Sequence, residues 1–306
     1  HIEPADSISA VLEQFYASRS LYTRMRQKSV DLRKIVSTHL ERSSKKLDLQ
    51  LKQLKDTEKR DKFKVYGELL NTYGYQVTEG AKSVEVPNYY TGEMLTIPLD
   101  ETLSPLDNAK KYFARYNKLK RTFEALNTQT EETRTEIAHL QTIQAALAIA
   151  ESEDDLAQIR DELETYGYIR RKMNGKKNQK FKSKPFHYRS SDGFDIYVGK
   201  NNFQNDELTF KVANGNDWWF HAKKMAGSHV IVKTEGRELP DRTFEEAGRL
   251  AGYYSSGRDN EKIEIDYLQR KNVKKPNGAV AGYVIYYTNY SLTIHPDISG
   301  IEKISE

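Results

Sequence analysis

The sequence predicts an α+β protein: a long antiparallel helical coiled-coil hairpin with a small β-containing tip module, followed by a compact α+β domain. Three observations predict it. Two stretches of helical periodicity, each of about 60 residues, flank a segment broken by Pro87, Gly92, Pro98 and Pro105. Beyond Pro185 the apolar period switches from helical to alternating, as in Phe194, Ile196 and Val198. One amphipathic stretch, Thr243–Tyr254, then stands among short alternating runs, and strands before and after a helix indicate α+β.

Residues 1–20 place Ile8, Val11, Leu12, Phe15 and Tyr16 at helical spacing. The chain begins at His1 without a methionine, and these residues are expected to end a portion belonging to a longer protein. From 21 to 71 the apolar stripe narrows, and Leu40, Leu47 and Leu54 fall seven apart, as a coiled-coil seam requires. Asn71-Thr72-Tyr73-Gly74 ends this arm. Residues 72–105 form the predicted tip module, with Thr91-Gly92 as a hairpin turn between SVEVPNYY and EMLTIPL. The second arm runs from 106 to 168 through Phe123, Leu126, Ile137, Leu140, Leu147, Leu156, Ile159 and Leu163. Thr128, Thr130, Thr133 and Thr135 are poor helix formers and predict local weakness without a break. Each arm extends on the order of 90 Å at about 1.5 Å per residue. Equal arms that fold back within one chain predict a monomer.

Residues 169–185 are a basic linker: Arg170, Arg171, Lys172, Lys176, Lys177, Lys180, Lys182 and Lys184, with no acidic residue among them. The domain at 186–306 follows. Asp192-Gly193 is a turn feeding the strand at 194–198; Trp218–His221 and His229–Val232 are further strands, joined by a basic turn containing Gly227. Thr243 and Glu246 have capping-box spacing, with Gly257 as the stop. Ile263, Ile265 and Tyr267 alternate in another strand, and 282–287 with 291–295 reads as a hairpin across Thr288-Asn289-Tyr290.

Several function classes fall away. Without cysteine there is no disulfide or thiolate chemistry. No apolar run has the length of a membrane span or signal peptide. His221 and His229, with Asp195 and Asp217 nearby in sequence, lack the spacing of a metal site, and no cofactor motif is present. Gly227-Ser228-His229 sets serine and histidine on opposite faces of a strand, and no GxSxG elbow exists. The residues argue against catalysis.

Nucleic-acid binding has physical support. A net charge of +4 is uninformative, but its distribution is not. The linker, Lys223-Lys224, and Arg270-Lys271 with Lys274-Lys275 make three basic clusters on predicted loops. Such groups neutralise phosphates with little sequence discrimination. Phe181, Phe186, Tyr188, Trp218, Trp219 and Tyr267 are placed to stack on unpaired bases. The competing reading is a solvated basic surface with tryptophan in the core.

The runs DGFDIYVGKNNFQND, DWWFHAKKMAGSHVIV and VKKPNGAVAGYV resemble the C-terminal RNA-binding domain of the NFACT family, over most of residues 180–300. Asp192, Gly193, Asn201, Asn202, Asp206, Trp219, His221, Gly227, Ser228, His229 and Pro276 carry the likeness. The family includes fibronectin-binding-protein-A-like bacterial proteins and ribosome-quality-control factors. The resemblance implies that 21–168 is the family's coiled coil with its middle module, and 186–306 its RNA-binding domain. It implies as partners the large ribosomal subunit, rRNA and tRNA, in a cytoplasmic complex that adds an alanine tail to stalled nascent chains. The Asp-Arg pair that the family uses for tailing lies in an N-terminal domain outside these residues, so binding without elongation is expected. The other implied reading is a Gram-positive surface adhesin and virulence factor that binds fibronectin and reaches the cell surface without a signal peptide.

Overall fold

The computed structural model describes residues 8–170 and 183–304, with backbone alone for 8–22 and 24. The predicted basic linker residues Arg171, Lys172, Lys176, Lys177, Lys180 and Lys182, and the aromatic Phe181, lie outside the described residues. The chain divides into two compact units, one formed by 1–41 with 137–306, the other by 42–136.

Helix α1 (Ile8–Asp56) contributes residues to both units and, in the second, ends at a turn in which Thr57 Oγ1 donates to Leu54 O at 2.6 Å. Helix α2 (Arg60–Tyr73) resumes the arm and stops where the sequence predicts. Strands β1 (Ser83–Pro87) and β2 (Met94–Pro98) form the expected antiparallel hairpin, with Gly92 at φ +77° in its turn. Helix α3 (Pro105–Ile149) starts with proline at its first position and Ser104 Oγ accepting from Asp107 N at 3.1 Å. Phe63, Tyr66, Leu69 and Leu70 of α2 pack with Val86, Ile97 and Ala109 into one core. Between that core and residue 42 the seam is unusually polar. Leu47 and Leu54 alternate with buried Ser43, Gln50 and Thr57, and Thr130 and Thr133 of α3 are buried as well. α3 runs unbroken through the threonines, of which Thr133 and Thr135 return hydrogen bonds of 2.8 and 2.9 Å to carbonyls one turn back.

In the first unit the predicted continuous second arm is corrected. It breaks at Ala150–Ser152, and a separate helix α4 (Glu153–Thr165) begins at a capping box. Ser152 Oγ accepts from Asp155 N at 3.1 Å, and Asp155 Oδ2 accepts from Ser152 N at 3.0 Å. Leu156, Ile159 and Leu163 therefore do not extend the coiled coil. They pack back on Leu32 and Val36 of α1 and Leu140, Ile143 and Leu147 of α3.

The rest of this unit is a seven-stranded antiparallel sheet in the order β8-β7-β5-β6-β4-β3-β9. Its strands are β3 (Phe186–Arg189), β4 (Asp195–Val198), β5 (Trp218–Ala222), β6 (Val230–Val232), β7 (Ile263–Gln269), β8 (Tyr290–Ile294) and β9 (Glu302–Lys303). Helix α5 (Asn202–Glu207), continued by a π turn at Leu208–Val212, lies between β4 and β5, and α6 (Asp241–Tyr253) between β6 and β7. One sheet face packs Ile196, Val198, Phe220, Val230, Val232 and Ile265 against Ala247, Leu250, Ala251 and Tyr254, the face predicted for α6. The other packs Trp219, Ile231 and Leu268 against Leu208 and Val273.

Two local expectations are corrected here. Thr243 and Glu246 do not cap α6, which starts after Pro240. Instead Thr243 Oγ1 donates to Asp192 Oδ2 at 2.8 Å, and Glu246 accepts from Ser191 N at 2.9 Å, so both hold the β3–β4 turn. That turn closes through Gly193 N donating to Ser190 O at 2.9 Å. Residues 282–287 and 291–295 form no hairpin. β8 pairs with β7, and Ile285 makes an isolated bridge to Lys274.

Candidate nucleic-acid interface

The residues that carry the family likeness make a frame. Asn201 is extended at φ −155°, and its side-chain oxygen accepts from Gln204 N at 3.0 Å to start α5. Its amide donates to Gln158 Oε1 of α4 at 2.6 Å. Asn202 Nδ2 donates to Thr142 Oγ1 of α3 and to Glu162 Oε1 of α4, both at 2.7 Å. His139 Nε2 approaches the same Glu162 oxygen at 2.9 Å, and the other Glu162 oxygen is buried without a partner. Lys200 and Ser183 reach Asp155 Oδ1 at 3.3 and 2.5 Å. Burial raises that carboxyl, but bonds from Ser183 and the Glu151 backbone, with Lys200 nearby, hold it below the usual range. Thr142 belongs to α3 and Gln158 and Glu162 to α4, so this network ties both helices to α5 of the sheet domain.

Asp206 continues the frame one turn further along α5. It accepts from Gly282 N at 3.1 Å and is ion-paired with Lys275. Gly282 is at φ +77°, and a Cβ there would lie 2.4 Å from Asn202 Oδ1, so no other residue fits unstrained. Pro276 opens the same loop, whose Ala279 N donates to Pro276 O at 3.2 Å. Ala281 N donates to Tyr166 OH at 2.6 Å, which ties the loop to the end of α4.

Trp219, His221 and His229 share the second sheet face. Trp219 is fully buried, stacked on His221 at 5.5 Å and edge-on to His229 at 5.1 Å. His229 Nδ1 lies 2.8 Å from Thr209 Oγ1, and its backbone N–H donates to Asn205 Oδ1 at 3.0 Å. Ser228 N donates to Tyr254 O at 2.9 Å, and Gly227 forms a bridge with Ser255, whose Cβ would lie 2.9 Å from an added methyl. Burial pushes His229 down to about 3 and His221 to about 4, so both are neutral near pH 7. Asp195 pairs with His187 at 2.9 Å and Asp217 with Lys233 at 2.5 Å, so neither joins the two histidines. Among the described residues no group of three or more His, Cys, Asp or Glu is placed to hold a metal, and no helix is long and apolar enough to cross a membrane.

The basic residues sort into engaged and exposed. Arg270 Nε donates to Thr209 O at 2.6 Å with its guanidinium 5.1 Å from the Phe210 ring centre; Lys275 is held by Asp206; Lys223 pairs with Glu264 at 3.4 Å. Arg170, Lys224, Lys271 and Lys274 are exposed, as is Lys184, which has an interaction of its own. Trp218 pairs with Gln269 and Ala222 with Ile265, so the Lys223-Lys224 turn and Arg270-Lys271 lie beyond opposite ends of β5, about 20 Å apart at about 3.3 Å per residue.

The aromatic partners differ from those predicted. Phe186, Tyr188 and Trp219 are buried, while Trp218 and Tyr267 are half-buried against Phe244 and Phe220. Among the described residues of the sheet domain the exposed tyrosine rings are Tyr283, Tyr287 and Tyr290, at 47%, 83% and 63%. Asp266 holds their segment in place: Tyr286 OH, Asn289 Nδ2 and Ser291 Oγ donate to it at 2.9, 2.8 and 2.6 Å. Burial and then the Asp266 carboxylate push the Tyr286 hydroxyl well above its usual range. Tyr283 and Tyr287 flank Ile285, the bridge partner of Lys274, while Tyr290 stacks on Tyr267 at 5.6 Å. This gathers exposed tyrosines and exposed lysines at one end of the sheet. The available signal was the uncharged, tyrosine-rich run GYVIYYTNYS directly after a basic cluster.

Residues 1–182 match the model of the NFACT N-terminal and middle domains, and 184–286 that of the NFACT protein RNA binding domain. A protein named Rqc2 homolog RqcH from Streptococcus suis is 38% identical over 300 residues, 98% of this chain and 54% of that protein. The protein of the same name from Bacillus subtilis is 35% identical over 308 residues, 98% of this chain and 53% of the other. The chain thus spans about half the length of the curated relatives it matches. A solved structure, the C-terminal part of the fibronectin/fibrinogen-binding protein from Streptococcus suis, aligns with a TM-score of 0.72 at 33% identity, covering 92% of this chain and all of that one.

Proposed function

The chain belongs to the NFACT family, and from that premise we propose that it is the non-catalytic, RNA-binding part of a cytoplasmic ribosome-quality-control factor. It binds the large ribosomal subunit with its tRNA, through rRNA and tRNA, and supports alanine tailing of stalled nascent chains. The relatives named Rqc2 homolog RqcH support the pathway. The observation that carries the binding mode is the cluster of exposed Lys271, Lys274, Tyr283, Tyr287 and Tyr290. Among the described residues neither lysine has an ion-pair partner, so each is available to a phosphate, and the rings are available to unpaired bases. His221, His229 and Ser228 are bound into the frame by stacking and hydrogen bonds, which supports a non-catalytic reading.

Titration of labelled tRNA across a salt series tests this. The Lys271→Gln/Lys274→Gln variant is expected to flatten the slope of log K against log salt by about 1.5, from two contacts at about 0.7–0.9 each. Tyr287→Ala is expected to weaken binding about 5-fold or more. Lys275→Gln should lower stability and leave the slope within error. Unchanged slopes in the double variant would overturn the reading. A second reading, fibronectin binding, has the name of the Streptococcus suis neighbour as its support. Salt-tolerant fibronectin binding with no tRNA binding would put it first.

A further inference from the structure

A groove of about 410 Å³ opens between α3 and the turn that joins β5 to β6. We propose that it takes a single unpaired nucleotide of the bound RNA, a second subsite remote from the tyrosine cluster. The proposal rests on the RNA-binding reading above. Its volume falls in the range of about 300–1,000 Å³ typical of small-molecule sites. Ala145, Ala148 and Met225 give its lining an apolar part, as the face of a base requires.

The polar groups are few and suitably placed. Gln141 and Gln144, one turn apart on α3, are exposed at the wall. A side-chain amide offers donor and acceptor together, which matches the edge of a base. Lys224 stands at the rim, exposed, the lining's single cation, and without an ion-pair partner among the described residues. One cation suits one phosphate. Among the described residues no carboxylate lines the groove, whereas the cleft beside α4 carries Glu151 and Asp154 together with its lysines.

The turn is rigid enough to present that charge. Lys224 is held at φ +56°, a region that costs a non-glycine residue strain. Its neighbours are fixed by Lys223 N donating to Glu264 O at 2.9 Å and Ser256 N to Ala226 O at 2.7 Å. A preformed wall spares the ordering cost that a mobile loop would incur on binding.

The experiment uses the full chain with a fluorescent single-stranded oligoadenylate and, separately, an oligoadenylate–oligouridylate duplex. Ala148→Trp fills the groove from an exposed helix position, and Gln141→Ala/Gln144→Ala removes the amides without touching the core. Each is expected to weaken single-strand binding about 5- to 10-fold, the scale of losing one stacked base, with duplex binding unchanged. Parental affinity in both variants, or an equal loss for duplex, overturns the groove. If the parent binds neither RNA, the RNA reading itself falls. If only Lys271→Gln/Lys274→Gln loses binding, the function stands and the groove does not.

Discussion

Replacing Asn202 by alanine separates the role of the family's asparagines from that of its lysines. Asn202 is 2% exposed and donates from one nitrogen to Thr142 Oγ1 and to Glu162 Oε1, each at 2.7 Å. Glu162 is fully buried and already has one oxygen without a partner. In Asn202→Ala its remaining contact is His139 Nε2 at 2.9 Å. A hydrogen bond to a charged acceptor contributes about 1.5–3 kcal/mol and a neutral one about 1, so a loss of about 2.5–4 kcal/mol is expected. Asn202→Asp should cost more, because it sets a second carboxylate against the first. The chain's two tryptophans, Trp218 and Trp219, both lie in β5, so urea unfolding followed by their fluorescence reports the sheet and its attachment. Both variants should unfold at lower urea, while the folded fraction keeps its tRNA affinity. Asn202→Ala within about 0.5 kcal/mol of the parent, or an affinity loss at unchanged stability, would refute the reasoning.

Gly282→Ala places a methyl 2.4 Å from Asn202 Oδ1 at φ +77° and should cost about 2 kcal/mol or more. Combined with Asn202→Ala, which removes the clash, its cost should be less than additive in the same urea assay. Acid should also weaken the sheet. His221 and His229 titrate near 4 and 3 in the fold, chiefly through burial, against 6.5 in an unfolded chain. Stability is therefore retained above about pH 6.5 and declines as pH falls toward 4 and 3, because the unfolded state takes up the protons first. The tryptophan midpoint should fall between pH 7 and 5, and His229→Gln should flatten that fall. A flat parental profile would contradict the burial of the pair.

The repeat of Leu40, Leu47 and Leu54, the alternation at 194–198 and 263–267, and the stripe from Phe244 to Tyr254 were legible because each depends only on local period. So was the hairpin at 83–98, from its turn and flanking alternation. The same local rule misled at Leu156, Ile159 and Leu163, which keep helical spacing across the break at Ala150–Ser152. A new helix that folds back on the same apolar cluster has the period of one that continues. Thr243 and Glu246 misled likewise. Their spacing fits a cap, but their partners Asp192 and Ser191 lie over fifty residues away.

The α+β class, the strands, the single long helix of the sheet domain and the family likeness follow from the order of residues alone, since periodicity and rare motifs are properties of short segments. Which charges are free was decided by the tertiary structure. Lys274 and Lys275 are adjacent and identical in kind, yet one is exposed and the other is held by Asp206, sixty-nine residues earlier. Trp219 is fully buried, whereas Tyr287, in an uncharged run, is the most exposed of the large hydrophobic side chains among the described residues. Ion pairs and burial depend on groups far apart in sequence, and only the folded chain brings those groups together.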